Sequence, residues 1–329
     1  MALVTLARLA MATRFEIALH GENPVILRAA GEEALDEIDR LEAQLSLYRP
    51  DSEIARLNAR AGKEPVRVTP SLFALLEHAR RLHAESGGAF DITVAPLVKC
   101  WGFMGGSGRR PSAGELAEAR SRVGMHLVEL DPANSTVRFA REGVMLDLGA
   151  IGKGYAIERA VELLRESCVA SALLHGGTST VYALGHPPEA EFWTVAVEKP
   201  DSEKPPPPSA GETDAGALLD GVLARVPLKD EALSVSAVRG KFFQEEGKVF
   251  GHVLDPRTGE PADAGLLAAV MLPSATETDA LSTALLTRGT QGHDEIAALR
   301  PGMRTLLVSE AGGHLQVQTR NIALNQNPD

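Results

Sequence analysis

The chain has 329 residues, 44% hydrophobic and 23% charged, which is enough apolar side chain to offset chain entropy in a packed core and excludes a fully disordered polypeptide. With 33 Lys+Arg against 44 Asp+Glu the formal charge is -11, a surface that repels phosphate backbones, so nucleic acid is not an expected partner. An anionic nucleotide would have to be attracted locally, by a helix N-terminus, a lysine or a metal ion. Two cysteines, Cys100 and Cys168, are too few for a metal cluster or a disulfide scaffold and read as small core hydrophobes. The N-terminal stretch has no basic segment ahead of its apolar residues, Arg8 interrupts it, and no cysteine for lipid attachment lies nearby. No later segment is apolar for long enough to span a membrane. These features predict a soluble, cytoplasmic protein.

From Thr5 to Leu19 the residues are β-type, and after a turn at Gly21–Pro24 a helix is predicted in which Ala34, Leu35, Ile38, Leu41 and Leu45 form one apolar stripe. A second helix is predicted over Ser71–Glu85, with Leu72, Leu75, Leu76 and Leu82 on its buried side. Val123–Phe139 alternates as strands would around the turn Asp131–Asn134. Val144–Leu148 reads as a strand running into a glycine-punctuated turn, and Tyr155–Glu166 as the helix after it. Residues 200–216, rich in proline, acid and small residues, read as a surface insertion. Beyond it come strands at Ala232–Ala237 and Lys248–Leu254, a stiff turn at Asp255–Gly259, a strand at Leu266–Leu272 and a helix over Glu277–Leu286.

Four places carry chemistry, each with a plainer alternative. In Asp147–Tyr155, three glycines and Lys153 stand where an extended run meets a helix, which suits a phosphate, or else is a tight turn with a solvated lysine. Asp279 and Thr283, four apart, face the same way on a helix, and a carboxylate with neutral oxygens suits Mg2+; capping of the helix start by Thr276, Thr278 or Asp279 is the alternative. Among nine histidines, His252 sits between strand-like residues and the stiff turn and is the candidate proton acceptor; His78 and His83 lie on a helix and read as structural or solvated. Tyr48 can present an aromatic face to a planar ligand or simply cover the core.

Taken in order, LSLYRPDSEIARLN at 45–58, GGAFDITVAPLVKCWGF at 87–103, LDLGAIGKGYAIERA at 146–160, HGGTSTVYALG at 175–185, GHVLDPRTGEP at 251–261 and TDALSTALLTRG at 278–289, with Met11–Thr13 at the first strand, resemble the ApbE family of FAD:protein FMN transferases. The resemblance spans nearly the whole chain and implies one α+β domain over 1–329, built of two related β-rich halves with helices packed on their sheets and FAD between them. It implies Mg2+-dependent cleavage of FAD, with FMN passed to a Ser or Thr hydroxyl of a target flavoprotein and AMP released. A FAD pyrophosphatase and a non-catalytic FAD-binding protein stand as alternatives. Carried over by position, Met11, Tyr48, Ala89, Phe90, Asp91, Asp147, Lys153 and Val253 line the FAD site, with Tyr48 against the flavin ring. Ala150, Asp279 and Thr283 hold the metal with Ser282 beside it, and His252 is the base that deprotonates the acceptor. Two departures stand out: Val235-Ser236-Ala237 where the family has Thr-Ser-Gly, and Thr178 where it has Asn or Asp. The family's common lipoprotein leader is also missing.

Overall fold

The computed structural model describes residues 1–200, 221–238, 240 and 242–322. Residues 201–216 of the proline-rich stretch, and Arg239, lie outside the described residues. The architecture is α+β, organised on one eight-stranded sheet.

The chain opens with a hairpin of β1 (Ala2–Ala10) and β2 (Thr13–Gly21), turned by Met11 and Ala12, both in the left-handed region at φ 49° and 58°. No glycine or asparagine marks that turn, so the sequence showed one β-type stretch in place of two strands. Helix α1 (Pro24–Leu45) is capped by the Asn23 side chain, which accepts from the Val25 and Ile26 N–H groups, and it buries the predicted stripe. The chain then makes α2 (Glu53–Arg60), β3 (Val66–Arg67), α3 (Pro70–Glu85), α4 (Ala95–Cys100), α5 (Ala113–Arg120), β4 (Val128–Asp131) and β5 (Thr136–Phe139) before α6 (Gly152–Glu166) leads back to the sheet. Strands β6 (Ser171–Gly176) and β7 (Thr180–Leu184) complete a first half in the spatial order β1-β2-β6-β7.

After the side hairpin of β8 (Trp193–Glu198) and β9 (Val222–Leu228), the second half repeats the plan. Strands β10 (Glu231–Ala237) and β13 (Leu267–Leu272), then helix α7 (Ala275–Ala297), then β14 (Arg304–Ala311) and β15 (His314–Arg320), lie in the order β10-β13-β14-β15. A small hairpin of β11 (Phe242–Glu245) and β12 (Lys248–Gly251) is inserted between β10 and β13. Antiparallel pairing of β7 with β10, Leu233 opposite Val181 and Ser234 opposite Thr180, fuses the two halves into one sheet. The expectation of two related β-rich halves thus takes the form of one continuous sheet.

Burial follows from what covers each strand. On β2 only alternate residues, Phe15, Ile17 and Leu19, enter the core against the helices. On β13, Ala268, Val270 and Leu272 face the helices while Leu267, Ala269 and Met271 face a second core closed by β8 and β9, so every residue of that strand is buried. A third apolar cluster joins α4 to the inserted hairpin through Trp101, Phe103, Phe243 and Phe250, with the Trp101 and Phe250 rings 5.6 Å apart.

Two expectations are corrected. Val144–Leu148 is extended but is not a strand: Leu146 exchanges both backbone hydrogen bonds with the Asn58 side chain, at 2.8 and 2.9 Å, and Asp147 N–H donates to the Ile92 carbonyl at 2.7 Å. Cys168 is not a core residue, being exposed at a left-handed turn position, while Cys100 is half-buried and packs against the edge of the third cluster.

Candidate active site

Where β7 and β10 join, a cleft of about 600 Å³ opens, within the usual size range of a ligand site. Its floor is the turn residues Thr178 and Ser179 and the end of β10, Val235–Ala237; its walls come from both halves of the chain. The first half supplies Tyr48 after α1, Ala89–Asp91 after α3, and Asp147, Gly149, Ala150 and Lys153 ahead of and at the start of α6. The second supplies His252, Val253, Leu254 and Pro256 from the segment after β12, with Asp279 and Thr283 from α7. Met11, in the first hairpin turn, packs against the main core and does not line this cleft. Ser282 is fully buried and does not line it either.

Asp279 stands where two helices nearly touch. A Cβ on Gly154 would fall 2.1 Å from the Ala275 carbonyl oxygen, so only glycine lets the start of α6 approach α7 this closely. The Gly154 N–H then donates to Asp279 Oδ2 at 3.0 Å, while Oδ1 lies 3.9 Å from Lys153 Nζ. Ser274 caps α7 by accepting from the Glu277 N–H, so Asp279 does not cap its own helix. The helix start that promised free N–H groups is partly committed: Gly152 N–H donates to Leu148 and Gly154 N–H to Asp279. Lys153 Nζ also lies 3.4 Å from the Gly149 carbonyl, which holds the ammonium at the cleft wall. Burial pushes the Asp147 carboxyl up from its ordinary value, against the Gly149 N–H and the charge of Lys153.

One turn beyond Asp279, the Thr283 hydroxyl lies 3.1 Å from Ser236 Oγ, and Ser236 also meets Ser282 Oγ at 2.8 Å. Ser236 is therefore a support that reasoning from motifs left without a role. The signal was present: Ser234 and Ser236 share one face of β10, and Ser234 in turn meets Thr278 of α7 at 2.8 Å. Among the described residues no three or more His, Cys, Asp or Glu side chains gather as a metal cluster. One carboxylate with a hydroxyl and a carbonyl is instead the donor chemistry of a hard cation that keeps part of its shell for water or phosphate oxygens.

His252 follows β12 and is braced on two sides. The Trp101 indole N–H donates to the Gly259 carbonyl at 2.8 Å, pinning the turn beyond it, in which Arg257 Nη2 pairs with Asp255 Oδ2 at 2.7 Å. The imidazole lies over Gly240, where a Cβ would stand 2.8 Å from Cε1. Tyr48 is 66% exposed at the mouth, so it does not serve the core and its ring is open to a ligand.

The profile of the ApbE family matches residues 11–307. The chain belongs to the ApbE family. It is 31% identical over 317 residues to the FAD:protein FMN transferase of Treponema pallidum, covering 92% of this chain and 83% of that protein. The crystal structure of the ApbE protein from Thermotoga maritima superposes with a TM-score of 0.82 at 28% identity, covering 96% of each chain. The apo form of the Pseudomonas stutzeri flavinyl transferase ApbE gives 0.81 at 26% identity, over 97% of this chain and 94% of that one. The ApbE match begins in the first hairpin turn and ends within β14, so it leaves out the edge strands β1 and β15 but takes in every residue that lines the cleft. No helix among the described residues is long and apolar enough to cross a membrane.

Proposed function

We propose that this chain binds FAD in the cleft between the halves and transfers its FMN moiety to a Ser or Thr hydroxyl of a target flavoprotein, releasing AMP. The relatives' names support the activity, and one observation supports its location: Asp279, Thr283, Ala150, Lys153 and His252, from distant parts of the chain, border one cavity. In this reading the acceptor oxygen forms a bond to the FMN phosphorus as the bond from that phosphorus to the bridging oxygen breaks, and AMP departs with the bridging oxygen. His252 takes the hydroxyl proton, a contribution worth roughly 100-fold to 10,000-fold. Lys153 places a positive charge beside the pyrophosphate, which in a chain of net charge -11 has to be supplied locally. Asp279, Thr283 and the Ala150 carbonyl would hold Mg2+, with Ser282 and Ser236 fixing the threonine; when bound, the ion supplies charge neutralisation at the phosphates. Tyr48 offers its exposed face to the flavin, and Ala89–Asp91, Asp147 and Val253 line the remaining wall.

The test is to incubate the protein with FAD and Mg2+, with and without a candidate acceptor, and to follow AMP by chromatography and the acceptor by mass spectrometry. An FMN-sized adduct supports transfer, AMP with free FMN in the absence of acceptor supports hydrolysis, and bound FAD with no AMP overturns both. Asp279→Ala is expected to lower AMP release by roughly 100-fold or more while some flavin stays bound. Asp279→Asn, which still offers an oxygen to the Gly154 N–H, separates lost ion binding from lost helix packing. AMP release unchanged in Asp279→Ala would refute the metal assignment.

A further inference from the structure

His83 does not border the cleft, yet it holds one of its walls. It sits in the last turn of α3, and its Nδ1 lies 3.1 Å from the Phe90 carbonyl and 3.2 Å from Asp91 Oδ2. A carbonyl only accepts, so Nδ1 carries a proton in either charge state and shares it between Phe90 and Asp91. The Asp91 side chain is 2% exposed, and its other oxygen accepts from the N–H and hydroxyl of Thr93 at 2.7 and 2.6 Å. Among the described residues the other donors to that carboxylate, both from Thr93, are neutral, and His83 is the partner able to bring a compensating charge. Burial alone would lower the His83 pKa; the bond and charge of Asp91 and the Phe90 carbonyl outweigh it and hold it above its ordinary value. Other charged groups nearby are already matched. Arg257, which approaches Gly88 as the His83 ring does, is paired with Asp255, and Arg288 beside Gly87 is paired with Glu295.

We propose that His83 is a positioning residue whose proton decides how well the Ala89–Asp91 wall receives an anionic dinucleotide. This rests on the flavin reading of the cleft. With His83 protonated, the His83–Asp91 pair is neutral. When the proton leaves, the Nδ1–H bond still holds the wall in place, but a negative charge remains in it, bordering the cleft that would hold a dinucleotide with negative charge of its own. Binding is therefore tightest at low pH and weakens as pH rises through the raised His83 value.

The experiment is titration of FAD against the protein in EDTA between pH 5.5 and 8.5, followed by flavin fluorescence, so that no turnover or metal enters the readout. The Kd of the unaltered protein is expected to rise about fivefold across that range through His83. His83→Asn keeps an N–H for Phe90 and Asp91 but cannot charge; its Kd should match the unaltered protein at pH 8.5 and lack this rise. His83→Phe removes the donor and should bind more weakly at every pH, with a thermal melt establishing that it is folded. Because His252 also borders the cleft, the difference in slope between the unaltered protein and His83→Asn is the quantity read. Equal slopes, or His83→Phe binding as the unaltered protein does, would overturn the inference while leaving the flavin reading intact. Absence of FAD binding by the unaltered protein at any pH, in EDTA and again with Mg2+ restored, would remove that reading and this inference together.

Discussion

In the first half of the sheet the chain leaves β2 at Gly21 and does not return until β6 at Ser171; in the second it passes from β13 at Leu272 to β14 at Arg304 essentially through α7 alone. The two halves share a strand order, but the short crossover puts Asp279 and Thr283 on a regular helix packed directly under β10, while the long one builds walls from the ends of helices and the turns between them. The proposed ion ligands other than Ala150 thus sit on rigid structure, where an error of a few tenths of an ångström matters, and the residues that wrap a large ligand sit on loops. The long excursion is not independent of the second half. Its α4 grips the His252 segment through Trp101, its α3 meets α7 through His78, and the helix that ends it touches α7 at Gly154.

Gly154→Val is the change expected to cost most, because it acts where the halves meet. The new Cβ would meet backbone, the Ala275 carbonyl, which cannot rotate away as a side chain can. A destabilisation of about 4 kcal/mol is expected, with loss of the cleft, measured by urea unfolding and FAD binding. Gly31→Ala in α1 is the internal control: its Cβ meets only the side-chain tips of Leu6 and Leu19, which can repack, so a much smaller loss is expected. Equal losses would mean that the halves do not depend on that contact.

Glu277 sharpens the same comparison from the same first turn of α7, through its contact with α3. It receives His78 from α3 at 3.1 Å and Arg300 at 2.7 Å, and although burial would raise its pKa, these two partners pull the carboxyl down to about 2. A carboxylate depressed in the folded state contributes stability that is complete above its unfolded value near 4.5 and is lost as pH falls toward 2. Glu277→Gln should therefore lose about 3 kcal/mol at pH 7, the gap to the unaltered protein closing between pH 4.5 and 2 in parallel unfolding curves. A gap that stays constant through acid would show that packing, not charge, joins α3 to α7.

The elements legible in the sequence were those whose burial is one-sided. α1 and α3 have a single core-facing stripe, and their buried Leu, Ile and Ala positions follow the apolar spacing. Strands β6 and β7 gave no such pattern because, although they pair with each other, their outer partners β2 and β10 lie far away in sequence and β7 is covered on both faces. The predicted helix over Glu277–Leu286 continues to Ala297 because Gly289, at φ 60°, breaks it without ending it. In the candidate site, Asp279, Thr283, Lys153 and His252 were nameable because charge and spacing set them apart. Ser236 and His83 were not, since each acts through a partner that only the fold brings near: Ser236 meets residues 46 and 47 positions away, and His83 reaches Asp91 around the glycine turn that ends α3.

Asn58 shows how the long crossover compensates for lacking a strand. β13 delivers the chain to α7 with its backbone groups paired in the sheet, whereas the segment before α6 has no neighbouring strand at Leu146, a fully buried residue. Asn58 substitutes for one, its amide oxygen accepting from Leu146 N–H and its amide nitrogen donating to Leu146 C=O, both within 2.9 Å. Asn58→Leu preserves size but strands both backbone groups, and should lose about 2 kcal/mol. Asn58→Asp can accept from the N–H but cannot donate to the carbonyl, so it should fall between. Because the segment runs straight into Asp147 and Lys153, the loss should also appear as weaker FAD binding in the folded variant, an effect that no equivalent change before α7 would produce. Should Asn58→Leu unfold at the same urea concentration as the unaltered protein, the extended run must be held by the Asp147–Ile92 backbone bond and side-chain burial alone, and the two crossovers would be less different than their lengths imply.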